Sequence, residues 1–311
     1  NLLILNMITE EQLENLRKVA RQMVEKGKGI LAADESQGTI EKKFAKIGVA
    51  CTEDSRREYR ELFFTTPGFG EFISGVILFD ETIRQSASDG RTFVSILENE
   101  GVLPGIKADQ GVKEMDGSPN EKVTKGLDGL PTRLDEYSKL GAKFAKWRAV
   151  ITIDDKLPSD GNIRQQAKDL SAYALECQKA GIVPIVEPEV LMDGAHDISR
   201  CEEVSERVLT ALFEELKNAG VAIEGIVLKT NMVIPGKLNA GGKSVPEEIA
   251  RRTVNLFKKV LPDNLPGQAF LSGGQSEVEA TENLNAMNKM GALPWNLTFS
   301  YGRALQDSAL K

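Results

Sequence analysis

Apolar positions in this chain recur in two alternating periods. Over residues 10–26 they fall three and four apart, at Leu13, Leu16, Val19, Ala20 and Met23, which predicts an amphipathic helix. Residues 30–33 follow as a short continuous apolar run, the pattern of a strand buried on both faces. A polar linker then leads to a helix predicted over about 55–64, and strands are predicted over 74–79, 104–106 and 143–151. Beyond them come a helix over 163–180 stopped by Gly181, a strand over 183–186, a helix over 202–219 stopped by Gly220, and a strand over 226–228. The chain closes with a helix over 246–260, a strand over 269–272, a helix over 276–290 and a strand over 297–300. Residues 111–130, rich in Gly, Asp, Ser and Asn, read as a loop long enough to be functional.

Eight strand–helix units without a break in composition predict an α/β protein, a single (β/α)8 TIM barrel forming one domain over residues 1–311. An open dinucleotide-binding sheet lacks its fingerprint, because Asp34-Glu-Ser-Gln-Gly38 stands where Gly-x-Gly-x-x-Gly belongs. Asn1–Asn6, ahead of Met7, read as an expression remnant or alternative start and carry no weight in the fold.

In such a barrel the reacting groups sit at the C-terminal ends of the strands. The predicted strands run out at Asp34, Lys107, Lys146, Glu187, Lys229, Ser272 and Arg303, nearly all ionisable. Alternation along a strand puts Phe144, Lys146 and Arg148 on one face, Val183, Ile185, Glu187 and Glu189 on another, and Gly225, Val227 and Lys229 on a third. Cations and carboxylates therefore point into one mouth. Lys229 ends the apolar run Ile226-Val-Leu; desolvation and neighbouring cations turn a buried ammonium toward a nucleophilic, Schiff-base-forming amine. The competing readings are a lysine that reaches out to solvent and a set of salt bridges that merely plugs the barrel.

A second signal is Leu271-Ser272-Gly273-Gly274-Gln275-Ser276, a strand end and two glycines before a helix whose Ser276 and Glu279 form a capping box. Backbone amides of such a turn and the helix N-terminus suit an anion, and barrels commonly hold phosphate after the seventh and eighth strands. Ser300, Gly302 and Arg303 stand in position to complete that site, with Lys107, Arg148 and Arg56 as candidates for a second phosphate.

Composition narrows the chemistry further. A formal net charge of −7 with no basic run argues against nucleic acid or an anionic membrane as a main partner. Cys51, Cys177 and Cys201 are widely spaced, as in a reduced, cytoplasmic protein without a disulfide framework, and no apolar run approaches a membrane span. His196 is the only histidine, which leaves no His-rich set for a catalytic zinc; the fragment from Asp193 to Asp197 reads as a polar loop. No metal or cofactor is called for. The electron sink then falls to Lys229, and proton transfer to Glu187 and Glu189.

Leu31-Ala-Ala-Asp-Glu-Ser36, Gly75-Val-Ile-Leu-Phe79, Phe144-Ala-Lys-Trp-Arg148, Ile182-Val-Pro-Ile-Val-Glu-Pro-Glu189, Leu228-Lys229 with Asn231-Met232, the Leu271–Ser276 stretch and Leu297-Thr-Phe-Ser-Tyr-Gly-Arg303 together resemble class I fructose-bisphosphate aldolase, from about Lys26 to the chain end. The resemblance implies reversible cleavage of fructose 1,6-bisphosphate through a lysine Schiff base without metal. Lys229 is then the nucleophile, Glu187 moves protons during imine formation, and Asp34 orients the substrate hydroxyl and helps remove its proton. Lys146 steadies developing charge, and Glu189 holds the lysines in register. Ser272, Gly273, Gly274, Ser300, Gly302 and Arg303 hold one phosphate, with Lys107, Arg148 and Arg56 near the other end. The stretch from Ser36 contributes Thr39 and Lys43 where the family has serine and arginine; Lys43 lacks the bidentate fork of arginine. The resemblance also implies a homotetramer with cytoskeletal proteins as a partner class, and a further helix and tyrosine-ended tail after Lys311. For a chain that stops there, the expectation is surviving imine formation with impaired turnover. Another Schiff-base sugar-phosphate aldolase or transaldolase, and a non-catalytic scaffold, are the alternatives.

Overall fold

The computed structural model describes residues 8–310, so the remnant or alternative start read at Asn1–Asn6, and Lys311, lie outside the described residues. Among the described residues ten strands form: β1 (Gly29–Ala33), β2 (Ile73–Leu78), β3 (Leu103–Lys107), β4 (Val112–Met115), β5 (Ser118–Thr124), β6 (Phe144–Ile151), β7 (Val183–Val190), β8 (Val227–Thr230), β9 (Gly267–Phe270) and β10 (Asn296–Tyr301). Eight of them close in the order β1-β10-β9-β8-β7-β6-β3-β2, every neighbouring pair parallel. With helices between successive barrel strands, this is the (β/α)8 TIM barrel that the alternating periods predict.

Side-chain parity divides the core in two. Outward residues such as Trp147, Leu228 and Phe270 join the layer between strands and helices, whereas Ile30, Ile77, Phe144, Ile185 and Val227 fill the barrel axis. That axial cluster continues into Leu13, Leu16, Val19 and Met23 of helix α1 (Glu10–Met23), which therefore stoppers the N-terminal end of the barrel. Phe144 crosses the axis because β3 gives way to it: a Cβ on Gly105 would lie 2.3 Å from its ring. The lower barrel is thus apolar and closed, and the inward charges of β6, β7 and β8, with Asp34 just past β1, lie above it.

Several elements depart from the sequence reading. The linker after β1 contains helix α2 (Gln37–Ala45), which buries only Ile40 and Phe44, too few apolar positions to print a helical period. Helix α3 (Glu53–Phe64) follows, as predicted but longer. The supposed loop 111–130 holds the antiparallel hairpin β4–β5, whose largely solvated strands lack apolar alternation. It is anchored by Glu121, fully buried and accepting hydrogen bonds from the Ser118 hydroxyl at 2.5 Å and the Ser159 amide at 2.9 Å. Strand β7 does not stop at residue 186; it pairs with β6 up to Ile151↔Val190. Pro184 and Pro188 hide its length, since proline suppresses the strand signal without preventing a strand there. Strand β9 ends at Phe270, which moves Ser272 into the following loop.

Candidate active site

Four charged side chains, three from β6, β7 and β8 and one from the residue just past β1, meet at the C-terminal mouth. Lys146 Nζ lies 2.7 Å from Asp34 Oδ2 and 3.6 Å from Glu187 Oε2, and Lys229 Nζ lies 3.2 Å from Glu187 Oε1. All four are buried, Lys229 exposing 4% of its surface and Glu187 3%. Two cations and two carboxylates balance, as buried charges must. Burial alone would push the Asp34 carboxyl up, but the ammonium groups of Lys146 and Lys229 together outweigh it and hold Asp34 below the usual carboxylate range. Lys146 shows the mirror case: burial opposes its charge, and Asp34 and Glu187 more than restore it, so it is held as an ammonium. Glu187 Oε2 has no hydrogen-bond partner. A carboxylate oxygen free beside an amine is suited to accept and return a proton.

Glu187, not Glu189, is the carboxylate between the two lysines. Glu189 turns to Arg148, accepting from its Nε, and borders Gly273, where an added Cβ would lie 3.2 Å from its Oε1. Lys107 Nζ donates to Asp109 Oδ1 at 2.5 Å and to the Asp109 carbonyl at 2.7 Å, while the Gly111 amide donates to that same Oδ1. Asp109 thus fixes Lys107 at the mouth and was missed in the sequence. Its only trace there is a carboxylate two residues beyond a strand-end lysine. Arg56 stands apart: its guanidinium is filled by two bonds to Glu81, at 2.9 and 2.6 Å, and it makes no contact with Lys107 or Arg148 among the described residues.

The residues following β1 form a third group. Ser36 and Thr39 hydroxyls share a hydrogen bond of 3.1 Å on the exposed first turn of α2. Lys43 Nζ is held by Glu35 at 2.7 Å and by Gln306 at 2.5 Å. Two partners missed in the sequence support this group. Gln306, fully buried, also donates to the Ala32 carbonyl. Arg60 of α3 donates to the carbonyls of Ala33 and Glu35, on either side of Asp34.

The glycine turn after β9 and the end of β10 do come together. Arg303 donates to the carbonyls of Gln275 at 2.7 Å and Ser272 at 3.4 Å, and Gly302 sits against the Ala32 carbonyl. Ser300 Oγ is buried with no partner. The helix Glu277–Asn288 starts at this turn with the predicted capping box between Ser276 and Glu279. Gly274 adopts φ +80°, and a Cβ there would lie 2.7 Å from Met192 Cβ. Gly274→Ala is accordingly expected to lower stability by about 1–3 kcal/mol, read by urea unfolding. Outside this turn lies a cavity of about 1040 Å³ lined by Ile234, Val245, Gln275 and Glu282 among others. None of Lys229, Glu187 or Asp34 lines it.

His196 is buried with neither ring nitrogen hydrogen-bonded, and burial lowers its affinity for a proton. Among the described residues no group of three His, Cys, Asp or Glu side chains is disposed to hold a metal ion, and no helix is long and apolar enough to cross a membrane.

The family described as fructose-bisphosphate aldolase class-I matches residues 15–311. A probable fructose-bisphosphate aldolase class 1 from Xanthomonas campestris pv. campestris is 52% identical over 299 residues, covering 96% of this chain and 89% of that protein. The cytosolic fructose-bisphosphate aldolase 5 of Arabidopsis thaliana is 53% identical over 299 residues, covering 96% of this chain and 83% of its own. A solved structure of fructose-bisphosphate aldolase from Plasmodium falciparum, in complex with TRAP and a small-molecule inhibitor, matches with a TM-score of 0.96 at 47% identity, covering 97% of this chain and 88% of that one.

Proposed function

The chain belongs to the class I fructose-bisphosphate aldolase family, and from that premise we infer that its barrel mouth carries out the family's reaction with Lys229 as the nucleophile. The reaction is the reversible cleavage of fructose 1,6-bisphosphate to dihydroxyacetone phosphate and glyceraldehyde 3-phosphate, a step of glycolysis. The observation that carries the assignment of roles is the buried Lys229 Nζ at 3.2 Å from Glu187 Oε1.

Glu187 takes a proton from the Lys229 ammonium, the amine so freed attacks the substrate ketone to give a carbinolamine, and Glu187 returns that proton as the hydroxyl leaves as water. The protonated imine then draws electrons from the breaking carbon–carbon bond while Asp34, ionised beside Lys146, takes the proton of the neighbouring hydroxyl. Lys146 meets the charge that develops there. The three-carbon aldehyde departs, and protonation and hydrolysis of the enamine return Lys229. The imine is itself the electron sink, so the mechanism requires no metal.

Ser272, Gly273, Gly274, Ser300, Gly302 and Arg303 receive one phosphate, a reading supported by the partnerless Ser300 hydroxyl and by Arg303 bracing the glycine turn. Lys107 and Arg148 face the other end of the substrate, with Ser36, Thr39 and Lys43 alongside; Arg56, its fork filled by Glu81, shapes that end from behind. Glu189 orients Arg148. The whole chain acts as one catalytic domain in this reading. A cytoplasmic location rests on relatives named cytosolic, a homotetramer is testable by light scattering, and cytoskeletal binding by pull-down with the Lys229→Met variant.

Borohydride reduction in the presence of dihydroxyacetone phosphate tests the central assignment, because reduction traps only an imine. Intact mass and peptide mapping are expected to place a single adduct on Lys229. A folded protein that gains none, or gains it on another lysine, rules the assignment out.

A further inference from the structure

Strands β7 and β8 carry Glu187 and Lys229, yet the ladder between them stops short of both. Its registered pairs are Ile185↔Val227 and Val186↔Leu228, whereas β6–β7 runs on to Val190 and β8–β9 to Thr230. The amides of Val183 and Leu191 donate toward β6, to Lys143 and Ile151, while that of Val190 donates toward β8. Amide direction alternates along a strand, so the donor missing at Pro188 is one that would have faced β8. Past Val186↔Leu228 the ladder has no further registered pair, because Pro188 has no amide to offer the carbonyl at the end of β8.

Side chains close that gap. Asn231 Oδ1 accepts the Val190 amide at 3.0 Å, and its Nδ2 donates to the Met232 carbonyl at 3.1 Å and to Ser205 Oγ at 3.4 Å, which fixes the amide the right way round. The Thr230 hydroxyl lies 3.2 Å from Asn231 Oδ1 and 3.4 Å from the Pro188 carbonyl. Asn231 is buried, as are Thr230 and Ser205, so water offers no substitute.

We propose that Asn231 is a positioning residue for the reaction: by bonding the end of β7 to the end of β8 where proline interrupts the ladder, it sets the separation of Lys229 and Glu187. It touches neither side chain and acts through the backbone that presents them. The inference rests on the roles given above to Lys229 and Glu187.

Asn231→Ala is expected to lower kcat by roughly 30- to 100-fold while KM for fructose 1,6-bisphosphate changes less than about threefold, because a misplacement of the order of an ångström at the reacting atoms costs that much. The rate of borohydride trapping at Lys229 with dihydroxyacetone phosphate falls in parallel. Expressing kcat per trappable site removes the effect of any unfolded fraction. Asn231→Asp keeps an acceptor for the Val190 amide and is expected to turn over at least about fivefold faster than the alanine variant; Thr230→Val is expected to lose about three- to tenfold. If Asn231→Ala does not fold, the Asp and Thr230→Val variants decide on the same readouts. An alanine variant within about threefold of the parent per site, or an Asp variant no better than alanine, overturns the proposal. A parent protein that forms no imine at Lys229 overturns the functional reading and this inference together, whereas a parent and an alanine variant that trap equally fast overturn this inference alone.

Discussion

Lys229→Met is expected to lower kcat for fructose 1,6-bisphosphate cleavage by at least ~10⁴-fold and to abolish the borohydride adduct, while the protein stays folded. The thioether has nearly the reach of the lysine stem and none of its nucleophilicity. No imine forms, and the breaking carbon–carbon bond loses its electron sink. Glu187 keeps Lys146 at 3.6 Å from Oε2, so the substitution does not leave that buried carboxylate without a cation. The groups assigned to phosphate, Ser272 to Gly274 and Ser300 to Arg303, contact Lys229 in no hydrogen bond or ion pair, so affinity for a bisphosphate that cannot react is expected to stay within about threefold of the parent. Steady-state kinetics, intact mass and competition binding check the three parts. Residual turnover above ~1% of the parent would show that another group supplies the electron sink.

The charged mouth was legible because two periodicities fixed it independently. Strand ends concentrate ionisable residues, and parity within residues 144–148 and 183–189 sends Lys146, Arg148, Glu187 and Glu189 inward with the axial Phe144 and Ile185. Who pairs with whom was not legible. Glu187 and Glu189 share a face, and only the relative height of β6, β7 and β8 gives Glu187 to the lysines and Glu189 to Arg148. Arg56 shows the limit from the other side. Its residue type suits a phosphate, but Glu81, 25 positions away, fills its fork, and no local pattern announces that contact. The supporting residues Asp109, Arg60 and Gln306 were missed because each works on backbone carbonyls or a neighbouring lysine, at positions that read locally as a turn, a helix face or a chain end. Hairpin β4–β5 escaped for a related reason, since exposed strands carry no alternation for a period to detect.

Lys146→Met is expected to cost on the order of 10³-fold in kcat and about 3–5 kcal/mol in stability at neutral pH. The stability loss follows from what remains: Asp34 at 2.7 Å loses its ion-pair partner, and Glu187 keeps only Lys229. The pH dependence should reverse sign. In the parent protein the Asp34 carboxyl sits below its unfolded value, since the cations outweigh burial. Its contribution is present above the unfolded value near ~4 and is lost as pH falls toward the folded one. Without Lys146, burial persists and the largest opposing cation is gone, so the folded carboxyl is expected to rise above its unfolded value. The folded state then binds more protons than the unfolded state, and stability falls as pH climbs through that raised value. Urea unfolding of the variant should therefore show a higher midpoint at pH ~5 than at pH ~8, where the parent is flat with respect to Asp34. A variant whose midpoint is unchanged over this range would mean that water or Lys229 takes over the pairing, and that Lys146 is not what keeps Asp34 ionised.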